Sequence, residues 1–298
     1  MIIAENITKN FGDIRAVDNI SAEIKQGCIF GLIGTNGAGK STFLRMLSGI
    51  YRPDFGKITI DGEEVFENIA TKKRLFYISD DQYFLSGATP VAMAKYYASV
   101  YENFDMNRFE QLLSAFDLDG KRKINTFSKG MKKQVSIICG LAAKTDYIFC
   151  DETFDGLDPV MRQAVKSLLA ADVAERSLTP IIASHNLREL EDICDHIGLL
   201  HKGGILLNKD LDDMKTNIHK VQCVLPKNAD IAALGLDIVK TEQRGSLSVI
   251  IARGSKEEII NKINSLSPVF AEVLPLTLEE IFISETEVVG YDIKKLFI

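Results

Sequence analysis

Lys40 and Ser41 close the run Gly34-Thr35-Asn36-Gly37-Ala38-Gly39-Lys40-Ser41-Thr42, which fits G-x-x-x-x-G-K-[ST]. Glycines at these spacings let successive backbone N–H groups turn inward around phosphate oxygens, and the positive end of a following helix adds to the attraction. Lys40 is then expected to reach β- and γ-phosphates and the Ser41 hydroxyl to ligate Mg²⁺. A second group of chemical residues, Asp151-Glu152, ends the apolar run Tyr147-Ile148-Phe149-Cys150. Two carboxylates at a strand tip beside a phosphate loop suggest a metal and a water: Asp151 holding the metal through its shell, Glu152 polarising or orienting the attacking water. His185 follows a third apolar run, Pro180 to Ser184, which puts a titratable ring at the same edge. A phosphate loop names a nucleotide site but does not separate kinases, GTPases, motors and transporters.

These groups need a scaffold that brings strand ends together. The phosphate loop follows the apolar run Cys28 to Ile33 and precedes the helix-like run Phe43 to Leu47, so strand, loop and helix come in the required order. Tyr147–Glu152 and Pro180–His185 read as buried parallel strands whose C-terminal tips open into a site, as in α/β sheets. Lys57 to Gly62 and Leu75 to Ser79 add strands, and Ile197 to Asn208, centred on Gly203-Gly204, reads as a hairpin. Between about Thr89 and Thr145 the period turns helical. Thr89-Pro90 reads as a cap with proline at the first helical position, followed by an apolar stripe of Ala92, Met93, Tyr96 and Tyr97 and a second one of Phe109, Leu112, Leu113 and Phe116. A helical lobe over about 83–145 is therefore expected inside a strand-rich chain. Phe11, in the turn Asn10-Phe11-Gly12-Asp13, is either a core residue or a flat face for an adenine ring.

With 298 residues, 46% of them hydrophobic and 26% charged, the chain has the composition of an ordinary globular protein with room for one large domain and a smaller one. The net charge of −6 argues against nucleic acid as the main partner. The basic residues Lys121-Arg122-Lys123, Lys129, Lys132 and Lys133 read as a solvated surface. Five cysteines without C-x-x-C spacing read as buried free thiols of a reducing compartment. No signal-peptide pattern opens the chain and no apolar run approaches the ~18 residues needed to span a bilayer, so a membrane role is expected to come through a partner.

Taken together, these pieces resemble the nucleotide-binding subunits of ABC transporters over nearly all of Met1 to about Asp213. The phosphate loop is similar to Walker A, Tyr147 to Glu152 to Walker B with its catalytic glutamate, and Phe127-Ser128-Lys129-Gly130-Met131 to the signature in its LSKGM form. Gly156-Leu157-Asp158 resembles the D-loop, His185 the switch histidine and Phe11 the adenine-stacking aromatic. Two positions depart from the pattern. Asp80 stands in strict register where the Q-loop glutamine belongs, with Gln82 two places later, and either could approach Mg²⁺; Thr153 replaces the usual proline after the glutamate.

The resemblance implies a P-loop ABC cassette, a mixed sheet core plus helical lobe, with ATP and Mg²⁺ as cofactors. It also implies that two cassettes sandwich two ATP molecules, with Ser128 and Gly130 contacting the γ-phosphate held by the partner. With one cassette, the chain must pair with itself or with a close paralogue. A transmembrane permease subunit is the further partner implied, which would hold this chain peripherally at the cytoplasmic face of the membrane, with Tyr83-Phe84-Leu85 either docking it or lying in the core. From 214 to 298 the order β-α-β-β-α-β, with helices near Ala229–Leu234 and Lys256–Leu266, is expected to give a small α+β domain of ferredoxin-like type. Its closing run Leu276 to Phe282 resembles the end of many exporter ATPases. The competing reading is a soluble ABC ATPase acting in regulation or assembly. A tandem cassette, a coiled-coil insertion or a basic tail would favour it, and none is visible in the sequence.

Overall fold

The protein is described from a computed structural model, over residues 1–226 and 229–281. The chain divides into two compact units, Met1–Asn208 and the remainder from Lys209.

The first unit begins with β1 (Ile2–Phe11) and β2 (Ile14–Ile24), an antiparallel pair joined at Phe11↔Ile14. There follow β3 (Phe30–Ile33), α1 (Lys40–Leu47), β4 (Phe55–Ile60), β5 (Glu63–Glu64), α2 (Ile69–Lys72) and β6 (Leu75–Ile78). The helical lobe consists of α3 (Pro90–Val100), α4 (Met106–Ala115) and α5 (Lys129–Ala142). The chain then returns to β7 (Tyr147–Asp151), α6 (Pro159–Arg176), β8 (Thr179–Ser184), α7 (Leu187–Glu191), β9 (His196–His201) and β10 (Gly204–Asp210). Two sheets result, one in the order β2-β1-β4-β5 and a larger one in the order β10-β9-β3-β8-β7-β6. Strands β3, β7 and β8 are buried along their whole length. Full burial fits parallel strands covered on both faces, and β9, β3, β8, β7 and β6 are indeed paired in parallel.

Helix starts follow local chemistry. Thr89, Asp105, Ser128 and Asp158 each accept a hydrogen bond from a backbone N–H in the first turn of α3, α4, α5 and α6, with proline first in α3 and α6. In α4 the stripe Phe109, Leu112 and Leu113 is buried, and Phe116 just beyond it also. In α3 the inward face is Met93 and Ala94 with Tyr97 partly buried, whereas Ala92 and Tyr96 are exposed, so the expected stripe is rotated by about one residue. The lobe is tied to α6 by Asp172, which is fully buried and accepts from Arg108 and from Arg176 Nε (3.0 Å) and Nη2 (2.8 Å); Arg176 Nη1 also donates to the Thr145 carbonyl at 2.6 Å. All five cysteines are free, and all but Cys28 are buried.

The second unit contains α8 (Leu211–Asn217), β11 (Ile218–Val224), β12 (Asp237–Arg244), β13 (Leu247–Arg253), α9 (Lys256–Asn264) and β14 (Phe270–Leu274). The sheet order β12-β13-β11-β14, antiparallel throughout, is that of a split β-α-β arrangement. Val221, Cys223, Ile250 and Ala252 pack with Ile259 and Ile263 of α9. The helix expected over Ala229–Leu234 is a single 3₁₀ turn, Ala232–Leu234, ended by Gly235 in left-handed backbone. Residues 278–281 are helical; Phe282 lies outside the described residues.

Asp172→Ala would leave two partly buried guanidinium groups without their shared carboxylate. The expected cost is about 3 kcal/mol, the low end for a broken buried pair because both guanidiniums keep some solvent contact. Denaturant midpoints at constant slope check this; an unchanged midpoint would show that the cluster carries no net stability.

Candidate functional site

Register brings the chemical residues together. In the parallel sheet Ile33 pairs with Ser184, and Asp151 with Ala183, so β3, β8 and β7 end nearly level. The phosphate loop leaves β3 there, Glu152 leaves β7 and His185 leaves β8. The turn after β8 is fixed from below: Ser184 Oγ donates to the buried carboxylate of Glu189 at 2.9 Å and accepts from the Asn186 N–H at 3.0 Å.

The phosphate loop is seated against β2 and the β9–β10 turn. Gly39 has φ +103°, and a Cβ there would lie 2.3 Å from the Ala16 carbonyl oxygen, so no other residue fits without moving the backbone. Gly203 N–H donates to the Ala38 carbonyl (3.1 Å), and its own carbonyl accepts from Asp18 N–H (2.7 Å).

Lys40 opens α1 with its side chain only 6% exposed. Its ammonium donates to the Gly34 carbonyl (2.8 Å) and to that of Thr35 (3.3 Å), and lies 3.2 Å from Glu152 Oε1. The other carboxylate oxygen of Glu152 is 2.9 Å from His185 Nδ1. Glu152 therefore stands between a lysine and a histidine in one hydrogen-bonded row. Beneath it, fully buried Asp151 accepts from the Ser41 hydroxyl at 2.8 Å and from the Tyr77 hydroxyl at 2.9 Å. Burial, and next the charge of Asp151, push the Tyr77 hydroxyl far above its ordinary range, which keeps it a donor.

An open cavity of about 460 Å³ lies over this row, lined by Asn36, Gly37, Gly39, Lys40, Ser41 and Thr42 together with Asp80 and Glu152. Ile14, Arg15 and Ala16 of β2 and Lys202 and Gly203 of the β9–β10 turn complete its wall. A larger open cavity, about 780 Å³ beside β4, contains none of these groups.

Other predicted site residues lie apart. Phe11 is exposed, packs edge-on to Tyr51 with ring centres 5.5 Å apart, and is not in the wall of the cavity, although its register partner Ile14 is. Gln82 turns back on its own loop, donating to the Ser79 and Asp80 carbonyls at 2.8 and 2.9 Å, while Asp80 faces the cavity. Ser128 caps α5 by accepting from Met131 N–H at 3.2 Å. Gly130 lies against the Gly156 carbonyl, where a Cβ would come within 2.9 Å.

The oxygen donors at the loop, a serine hydroxyl and an aspartate carboxylate, suit a hard cation that keeps part of its water and shares phosphate oxygens. Among the described residues no group of three or more His, Cys, Asp or Glu could hold a metal by itself.

Residues 17–155 match the ABC transporter family. The chain is 30% identical over 285 residues to the ABC transporter ATP-binding protein YtrB of Bacillus subtilis, covering 96% of this chain and 98% of that one. The chain belongs to the ABC transporter ATP-binding family. It is also 32% identical over 223 residues to the bacitracin transport ATP-binding protein BcrA of Bacillus licheniformis, covering 74% of this chain and 73% of that one. The fold is shared with the dimeric, post-hydrolysis ATP-binding cassette MJ0796 bound to ADP and Pi, at TM-score 0.65 and 21% identity over 71% of this chain and 99% of that one. The protein is an ATP-binding cassette and an ATPase, with a role in membrane transport. Among the described residues no helix is long and apolar enough to cross a membrane.

Sequence reasoning missed Tyr77, Ile14, Arg15, Lys202 and Lys133. Tyr77 is an ordinary strand residue by pattern, and only the β6–β7 pairing places its hydroxyl at Asp151. Lys133, expected on a solvated surface, is fully buried in the cassette.

Tyr77→Phe removes one of two donors to the buried carboxylate and is expected to lower stability by about 1–3 kcal/mol. Unfolding of the nucleotide-free cassette measures it, and an unchanged midpoint would mean that the bond adds nothing.

Proposed function

We propose that this cassette powers a membrane ABC exporter by closing as a dimer around two ATP molecules and reopening on hydrolysis. The observation that carries the reading is Glu152 held between Lys40 and His185 at the tip of β7, directly over the phosphate loop.

In this reading the cofactors are ATP and Mg²⁺. Gly34 to Thr42 cradle the phosphates, and Lys40 exchanges its carbonyl partners for β- and γ-phosphate oxygens. Ser41 and Asp151, with Asp80 or Gln82, hold Mg²⁺, which when bound neutralises phosphate charge. Glu152 accepts a hydrogen bond from the attacking water and aims it, and His185 contacts the γ-phosphate. Phe11 stacks on the adenine. Ser128 and Gly130, in the LSKGM-form signature, reach the nucleotide of the second cassette, where the N-terminus of α5 adds its dipole. Such reciprocal contacts suit a two-fold dimer, either a homodimer or a pair with a close paralogue. The cassette spans 1–213 and the unit over 214–298 is accessory. The cassette sits peripherally at the cytoplasmic face of the membrane, docked on a transmembrane permease subunit. Tyr83, 83% exposed, and Leu85, 47% exposed, offer it an apolar surface just after the Asp80 loop. Similarity to a protein named for bacitracin transport supports the transport role.

Glu152→Gln is expected to bind MgATP and dimerise by light scattering, while hydrolysis falls about 100-fold or more, the scale of a general base. Retained turnover would remove Glu152 from this role. Tyr83→Ser is expected to leave the basal ATPase rate intact and to uncouple transport in the assembled complex; coupling at the wild-type level would move the docking surface elsewhere.

A further inference from the structure

Lys133 is the largest basic side chain fully enclosed in the cassette, and the reading of the site above gives it no task. It lies on the first two turns of α5, five residues after Ser128. Its ammonium donates to the main-chain carbonyl of Glu152 and to Asp80 Oδ1 at 3.1 Å. A buried ammonium is unfavourable without a counter-charge, and Asp80 supplies it. Asp80 in turn faces Lys129 at 3.8 Å, which stands at 3.8 Å from Asp155, so the Lys133 head belongs to an alternating chain of charges.

The contact with Glu152 matters because of the backbone there. Glu152 has φ +48°, a left-handed conformation that a residue with a side chain adopts only when its surroundings impose it. That conformation turns the chain at the end of β7 and sends the carboxylate toward Lys40 and His185. The Glu152 N–H is held by the Ala183 carbonyl at 3.0 Å, and the Glu152 carbonyl by Lys133 and, more loosely, by the Asp155 N–H at 3.3 Å. Both sides of the strained residue are thus clamped, one by the neighbouring strand and one by α5.

We propose that Lys133 is a positioning residue for ATP hydrolysis: anchored by Asp80, its ammonium holds the Glu152 main chain in the left-handed turn that aims the carboxylate. The inference rests on the proposed role of Glu152. It makes the helix that begins at Ser128 a determinant of where that carboxylate points.

The test uses the full-length chain at a protein concentration where the wild type turns over. Lys133→Met keeps the length of the side chain and removes the donor and the charge. The expected result is a 10- to 100-fold fall in kcat with KM for MgATP within about three-fold of wild type. Lys133→Gln, which retains an N–H for the Glu152 carbonyl, is expected to recover at least half of that loss on a logarithmic scale. Combining Lys133→Met with Glu152→Gln should give no further fall beyond Glu152→Gln alone, because both act on one carboxylate. A Lys133→Met kcat within two-fold of wild type, equal activity of the Met and Gln variants, or multiplied losses in the double variant would overturn the proposal. If Glu152→Gln itself keeps full turnover, the failure belongs to the role of Glu152. If that variant is inactive and Lys133→Met is active, the failure is of Lys133 alone. Should Lys133→Met not fold, Asp80→Asn at a half-exposed carboxylate takes its place. A fall in kcat of at least five-fold at unchanged half-saturating Mg²⁺ supports the inference; wild-type kcat or a raised Mg²⁺ requirement overturns it.

Discussion

A lysine ammonium that is almost wholly withdrawn from water must keep company with negative charge, and Lys40 governs the cassette through that requirement. It draws on two loop carbonyls and on Glu152. The same contacts keep the loop curled and the glutamate inward. Asp151, one residue before Glu152, is held by Ser41 and Tyr77 in the same manner, by donors that leave a buried carboxylate satisfied.

Everything else in the first unit keeps these charges level. Three parallel strands end within a residue of each other, and the phosphate loop, Glu152 and His185 follow directly on their ends. The antiparallel sheet closes one side, since β2 touches the phosphate loop through Ala16. The helical lobe reaches the same point from another direction, through the Lys133 contact with Asp80 and Glu152. Lys40, Glu152, His185 and the helix that begins at Ser128 are therefore parts of one bonded network.

The sequence shows the parts of this site that are local in the chain. Lys40 and Ser41 follow from loop spacing, and Asp151-Glu152 and His185 from apolar runs that end in polar residues. The strand, loop and helix order is legible for the same reason, as is the cap at Thr89; the cap at Asp158 emerges only from the structure. What depended on register or packing was not. Tyr77 looks like core until β6 is set beside β7, and Lys133 looks like surface until α5 is set beside β7. The helix expected over Ala229–Leu234 is only a 3₁₀ turn, because the segment before Gly235 is too short to sustain more. Asp80 and Gln82 differ by two residues in sequence, and only the curl of their loop separates one facing the cavity from one bonded to its own backbone.

The close approach of Gly130 to the Gly156 carbonyl bears on how variation in such chains is interpreted. A side chain at 130 collides with main chain of its own subunit before any second subunit is considered. An alignment that showed glycine at every such position would be satisfied by this internal crowding alone. Invariance at 130 is thus silent about phosphate recognition. Ser128 carries a side chain and makes a capping bond that asparagine or aspartate could replace, so the fold itself restricts position 128 less than position 130.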